Sequence, residues 1–182
     1  DVPGRLVFDL DPAPDVEFGE VIAAAKLMKD WLEVLGLAAF CKTTGGKGLH
    51  VVTPLAPGKD KLTWPQAKEF CRELCERIAA DAPDRFLVNM SKAKRTGKIF
   101  LDYLRNDRMS TAVGPLSPRA RPGATVSMPL TWAQVKAGLD PKKFTIRTAP
   151  ALLRKSKAWS DYAKSAQPLL PAIKRLKSSP SQ

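Results

Sequence analysis

The chain has 182 residues, 44% of them hydrophobic, and a formal net charge of +12. That apolar content excludes a disordered basic tail, and the length suits one compact domain or one and a half. The surplus of 30 Lys and Arg over 18 Asp and Glu points to a polyanionic partner, and from Lys142 onward ten basic residues stand against one acid, Asp161.

Arg5–Leu10 reads as a buried strand that carries Asp9, then Asp11, and stops at Pro12. Side chains two apart on a strand share a face, so the two carboxylates project together and repel. A divalent cation relieves that repulsion, and hard oxygen donors suit Mg²⁺ or Mn²⁺. The plainer alternative is a pair of solvated aspartates at a strand–loop junction.

Glu17–Leu35 has the helical spacing Val21, Ala25, Met28, Leu32, Leu35, with Gly36 as its stop. A short strand over Ala38–Lys42 leads into the glycine-rich turn Thr43–Gly48, and Leu49–Thr53 is the next strand. Glycines let backbone N–H groups approach phosphate oxygens, and Thr44 and Lys47 add a hydroxyl and a cation. His50, the sole histidine, leaves this turn within reach of the same anion. The spacing is not that of a Walker A loop, and no helix follows. A plain hairpin turn with a core histidine fits the same residues.

Thr63–Ala80 is a second amphipathic helix, with Thr63 as N-cap and Pro65 in its first turn. Lys98–Tyr103 reads as a strand whose lone acid, Asp102, lies among apolar residues. A buried unpaired carboxylate is costly, so Asp102 must meet a metal or an arginine. If its strand adjoins that of Asp9 and Asp11, the three form one metal cluster. From Asn106 to Pro129 the chain is rich in Pro, Gly, Arg and Ser and predicts ordered loop with short strand pieces. Within it Arg119 and Arg121 flank a proline-stiffened turn suited to fixed guanidinium contacts with phosphate. Thr131–Ala137 and Ala149–Lys174 read as helices.

Cys41, Cys71 and Cys75 are too few and too isolated for a disulfide framework or a thiol metal site, which fits a reducing cytoplasm. No segment has the length and apolarity of a membrane span, and no signal peptide is visible. The chain does not begin with Met and opens a few residues before its first functional strand, so it reads as a fragment.

Four segments in order carry a resemblance: Leu-Val-Phe-Asp-Leu-Asp-Pro, Lys-Thr-Thr-Gly-Gly-Lys-Gly-Leu-His-Val, Ile-Phe-Leu-Asp-Tyr-Leu-Arg-Asn and Ser-Pro-Arg-Ala-Arg-Pro-Gly-Ala-Thr-Val-Ser-Met-Pro-Leu-Thr-Trp. From Leu6 to about Tyr162 the chain resembles the polymerase domain of bacterial ATP-dependent DNA ligase D, of the archaeo-eukaryotic primase superfamily. The resemblance implies an α+β fold: a mixed, mainly antiparallel sheet flanked by helices and incomplete at its N-terminus. It implies Asp9, Asp11 and Asp102 as ligands of two Mg²⁺ or Mn²⁺ ions, and Thr44, Lys47, His50 and Arg119 as the groups that hold a nucleotide triphosphate. The family often has Ser where Thr44 stands. Some members carry Gln at Arg105, to which no role is carried over.

The implied function is template-directed nucleotidyl transfer onto DNA ends in non-homologous end joining, with a preference for ribonucleotides. The implied partners are DNA, NTP or dNTP, a fused or associated ligase domain and a Ku-type end-binding protein, in the bacterial cytoplasm at the nucleoid. The family's N-terminal part, with its 5′-phosphate lysines and template-stacking aromatic, has no counterpart in these residues. The expected organisation is a catalytic core over 1–145, a basic helical segment over 146–177 packed on it, and a disordered tail over 178–182. The alternatives are a nucleic-acid-binding fragment without activity and a haloacid-dehalogenase-type phosphatase. The latter expects a late acidic pair, and no two acids are adjacent here.

Overall fold

The structure, a computed structural model, describes residues 2–58 and 62–178. Six strands, β1 (Arg5–Pro12), β2 (Phe40–Thr43), β3 (Leu49–Pro54), β4 (Phe86–Leu87), β5 (Ile99–Asp102) and β6 (Pro129–Leu130), form one sheet in the order β4-β5-β1-β3-β2-β6. All neighbours are antiparallel except β4 and β5, so the sheet is mixed and mainly antiparallel, as expected.

β1 alternates. Leu6, Phe8 and Leu10 are fully buried in the hydrophobic core, and Asp9 and Asp11 face the other way. The core face is covered by α1 (Phe18–Val34), through Val21, Ala25, Met28 and Leu32, and by α2 (Trp64–Asp81), through Ala67, Phe70, Cys71, Leu74 and Ile78. Thr63 caps α2 in a reciprocal capping box with Gln66, and a proline occupies the first turn. The three cysteines are free and buried, as small hydrophobes in the core. No helix among the described residues is long and apolar enough to cross a membrane.

Two expected helices are corrected. Thr131–Ala137 holds only a 3₁₀ turn, Trp132–Gln134, because Thr131 and Gln134 cap each other reciprocally and close the turn at once. Ala149–Lys174 is not one helix but α3 (Ala149–Leu153) and α4 (Leu170–Ser178) joined by irregular turns. Its apolar spacing suggests continuity, but Pro168 cannot donate to a helix and disfavours helical backbone at Gln167. Gln167 instead bridges Leu55 in parallel. Trp159 adopts φ 63°, donates from Nε1 to Cys41 O at 2.8 Å and stacks on Tyr162 at 4.9 Å between ring centroids. Ala149, Leu169, Ala172 and Leu176 bury themselves in the same core as the sheet. Ser178 ends α4, and the rest of the expected tail lies outside the described residues.

β5 ends before it can pair with the start of β1, and Asn106 completes the ladder. Its Oδ1 accepts from Val7 N at 2.7 Å, and its Nδ2 donates to Val7 O at 2.8 Å. The side chain thus stands in for a strand residue, and it is buried. Replacing it by alanine strands two buried backbone groups. Asn106→Ala is expected to lose about 3 kcal/mol, or roughly 6–10 °C in Tm, by thermal or denaturant unfolding. A melt within a degree or so of the parent protein would show that the backbone of β1 does not depend on this side chain.

Candidate active site

The register of β1 assembles the site. Asp9 lies opposite Asp102 of β5 on one side and opposite His50 of β3 on the other. β2 then pairs Lys42 with His50. Directly opposed residues share a face, so Asp102, Asp9, His50 and Lys42 form one polar row across four strands, on the face turned from the helices.

The row is bonded along most of its length. Asp102 Oδ1 accepts from Leu104 N at 2.9 Å, and its Oδ2 lies 3.0 Å from a terminal nitrogen of Arg105. Arg105 Nε lies 3.6 Å from Asp9 Oδ2, so one guanidinium serves both carboxylates. Asp9 Oδ1 is 3.2 Å from His50 Nε2. On the far side of the ring, Lys42 Nζ is 2.9 Å from His50 Nδ1 and donates to Ser127 Oγ at 2.9 Å. Ser127 Oγ donates in turn to Thr43 O at 2.7 Å. Asp11, nearer the rim, pairs with Arg95 at 2.8 Å and with Lys47 at 3.8 Å.

Burial sets the electrostatics of this row. Desolvation pushes the Asp102 carboxyl up, more than Arg105 and the Leu104 amide pull it down. Desolvation also acts on Asp9, but there the hydrogen bond from His50 and the charges of Arg105 and Lys42 outweigh it and hold the carboxyl below its ordinary value. His50 is lowered, chiefly by burial, despite Asp9. Lys42 is almost fully buried, and desolvation brings its ammonium down to about 8.

The glycine-rich turn stands over the strand end that bears Asp11. Gly45 has φ +68°, where a side chain is strained, and a Cβ on Gly48 would sit 2.5 Å from Leu10 O, so this turn presses directly on β1. Thr44 Oγ1 donates to Gly48 O at 3.1 Å and accepts from Gly46 N at 3.1 Å, which closes the turn. Lys47 donates to Pro12 O. Arg119 donates to Thr44 O at 2.8 Å and Arg121 to Gly45 O at 3.2 Å, so both arginines of the downstream loop rest on this turn.

The result is an open cleft of about 530 Å³ with Asp9 and Asp11 on one wall and Lys47, Arg119 and Arg121 on the other. The residues expected from the sequence therefore lie close together, with two differences in detail. Asp102 is buried beside Asp9 and does not itself line the cleft. His50 borders the cleft, but both its ring nitrogens already have partners within the protein. Lys42, Ser127 and Arg95 were not anticipated. The only sequence signal for Lys42 is a charge at the end of an otherwise apolar strand, and Ser127 and Arg95 carry none. As the side chains stand, no three His, Cys, Asp or Glu among the described residues form a cluster that holds a metal ion. Arg105 and Arg95 lie against the carboxylates instead.

The sequence profile of the LigD primase-polymerase domain matches residues 1–159. The chain belongs to this family. The multifunctional non-homologous end joining protein LigD of Pseudomonas aeruginosa is 35% identical over 176 residues, covering 95% of this chain and 21% of that protein. Its Bacillus subtilis counterpart, bifunctional LigD, is 31% identical over 153 residues, 84% of this chain and 25% of that one. The polymerase domain of Mycobacterium tuberculosis Ligase D, solved in complex with DNA, superposes with a TM-score of 0.79 at 30% identity over 91% of this chain and 57% of that chain. The chain thus spans about a fifth to a quarter of these full-length LigD relatives. Membership in the LigD primase-polymerase family removes the phosphatase alternative for Asp9 and Asp11.

The buried Lys42 gives this site a measurable pH signature. Between about 8 and its ordinary 10.5 the unfolded chain holds a proton on Lys42 that the folded chain has released. Stability rises with pH wherever the unfolded state binds more protons, so the Lys42 contribution climbs across that window, by about 3 kcal/mol in full. The buried thiols, with raised pKa values, act in the opposite sense over the same range. The measurement is therefore the difference in unfolding free energy between the parent protein and Lys42→Met at about pH 8 and about pH 10. It should shift in favour of the parent as pH rises; a flat difference would mean that Lys42 titrates normally.

Proposed function

We propose that this chain is the catalytic core of a primase-like polymerase that transfers nucleotides from NTPs to a DNA 3′-end during non-homologous end joining, with ribonucleotides preferred. The observation that carries this reading is the cleft with two walls of opposite sign. The β1 carboxylates Asp9 and Asp11, with Asp102 of β5 buried beside Asp9, face cations on a glycine turn and the loop behind it. A nucleoside triphosphate with bound metal has the complementary pattern, cation toward the carboxylates and anion toward the cations.

Asp9, Asp11 and Asp102 are acceptor-only oxygen donors on adjacent strands, a donor set that fits Mg²⁺ or Mn²⁺ once Arg105 turns aside. Ions held by these residues would supply Lewis acidity for a primer 3′-hydroxyl and charge neutralisation for the leaving pyrophosphate. The chain's own residues supply position and charge. Lys47 and Arg119 release the carbonyls they now hold and take phosphate oxygens, where charge-assisted contacts are stronger. Thr44 keeps the turn closed, through Gly46 N and Gly48 O, and so holds Lys47 toward the same anion. The exposed basic residues downstream of Lys142 suit a sequence-independent grip on the DNA backbone. A ligase domain and a Ku-type end-binding protein are the partners that this role requires.

The direct test is extension of a recessed DNA 3′-end with ribonucleoside triphosphates and Mn²⁺, together with thermal melts. Mn²⁺ should extend the primer and raise the Tm of the unmutated chain by mass action. Asp9→Ala should remove both effects, and because it strips His50 and Arg105 of their carboxylate partner the metal-free Tm is expected to fall. Coincident melts with and without Mn²⁺ would sink the metal assignment. Binding of DNA without any extension would favour a nucleic-acid-binding role.

Arg119→Ala separates nucleotide binding from DNA binding. Losing one charge-assisted contact to the triphosphate should cost about 2 kcal/mol, roughly thirty-fold in kcat/KM, shared between a higher nucleotide KM and a lower kcat. Primer–template affinity should stay unchanged. If DNA binding weakens while nucleotide kinetics hold, the loop around Arg119 belongs to the duplex and not to the triphosphate.

A further inference from the structure

Lys42 is an unusual residue for the middle of a sheet. Its side chain is 2% exposed, and among the described residues it forms no ion pair with a carboxylate. Removing an ammonium from water without a counter-ion is costly. Its polar neighbours are the ring of His50 and the hydroxyl of Ser127, each at 2.9 Å. Ser127 Oγ gives its own hydrogen to Thr43 O, so it presents a lone pair to the ammonium.

A charged lysine has donors and no acceptor. Facing His50 Nδ1 at 2.9 Å, it needs a bare lone pair there, and the ring must then carry its proton on Nε2. Nε2 points at Asp9 Oδ1, 3.2 Å away, and a carboxylate only accepts. The ammonium at one end and the carboxylate at the other set the same donor direction: Lys42 to His50, His50 to Asp9. We infer that Lys42 is a positioning residue that keeps His50 Nδ1 bare, so that together with Asp9 it locks the ring as the Nε2–H tautomer and, through the ring, aims the Asp9 carboxylate at the cleft. With Oδ1 held by the ring, Oδ2 is the oxygen left to turn between Arg105 and a bound cation. This deepens the polymerase reading and rests on it for the role of Asp9. The tautomer itself does not depend on that reading. Partners one shell behind a ligand commonly change metal affinity about ten- to a hundred-fold when removed.

His50 is the only histidine in the chain, so ¹⁵N-histidine labelling reports on this ring alone. At neutral pH the unmutated protein should show one protonated-type nitrogen, Nε2, and one bare nitrogen, Nδ1, with a scalar coupling between Nδ1 and the ¹⁵N-labelled Nζ of Lys42. In Lys42→Met, where Asp9 still holds a proton on Nε2, a folded spectrum should show Nδ1 gaining a proton as well, since no ammonium faces it. The apparent Kd for Mn²⁺, read by paramagnetic broadening, should rise about ten- to a hundred-fold. An Nδ1–H or doubly protonated ring in the unmutated protein overturns the assignment, as does an Nδ1 that stays bare, or an unchanged Mn²⁺ Kd, in Lys42→Met. If Lys42→Met does not fold, the unmutated spectrum decides alone through the tautomer and the coupling. Should the unmutated chain bind no Mn²⁺ while the tautomer is as stated, the polymerase reading fails and the lock on His50 stands.

Discussion

Everything in the cleft follows from one register. β1 pairs antiparallel on both sides, and the same residue, Asp9, is the point where His50 and Asp102 arrive from opposite neighbours. Because side chains alternate along a strand, a slip of one residue on either side would turn a partner into the core and bring an apolar side chain to the cleft. The core guards against that slip. Leu6, Phe8 and Leu10 fit under the two helices only in the observed phase, so hydrophobic burial on one face fixes polar geometry on the other. Asn106 extends the same protection past the end of β5 by bonding both backbone groups of Val7.

The polar face holds charges that would not be tolerated singly. Asp9 and Asp102 share Arg105, Asp11 has Arg95 and Lys47, and Lys42 lends its charge to a histidine. Each carboxylate is stabilised by a neighbour that can itself move, a guanidinium or ammonium group on a long side chain, and one of these, Lys47, now rests on a backbone carbonyl. In the proposed polymerase role these internal partners would give way to a metal–triphosphate without leaving a buried group bare. The glycine turn contributes by closeness. A Cβ at Gly48 would strike the backbone of β1, so only a bare backbone brings the turn's amides and Lys47 beside Asp11.

Local patterns proved legible where local physics decides. The apolar spacing of α1 and α2, the Thr63 cap and the burial of Cys71 and Cys75 are properties of a helix and its nearest neighbours in sequence. They appear in the structure nearly as read. Where distant partners compete, local reading failed. The run from Ala149 to Lys174 has helical spacing, yet Trp159 is held by the carbonyl of Cys41 and Gln167 by Leu55. The two-residue strands β4 and β6 exist only because β5 and β2 offer free edges.

The same division runs through the site. Sequence alone singled out the polar residues that the structure gathers in one place: two aspartates on one face of β1, a third in an apolar strand, a glycine turn with a lysine, and paired arginines in a stiff loop. These follow from period, charge and the cost of burying a carboxylate, and the order of the four segments marked the family. Only the tertiary structure decided how they meet. Strand order brought Asp102 to Asp9, Arg105 came between them, and Lys42 and Ser127, without a signature of their own, became the support of His50. The reason is physical. A hydrogen bond between residues 85 apart, such as Lys42 to Ser127, is specified by the packing of whole elements, and no local pattern encodes it.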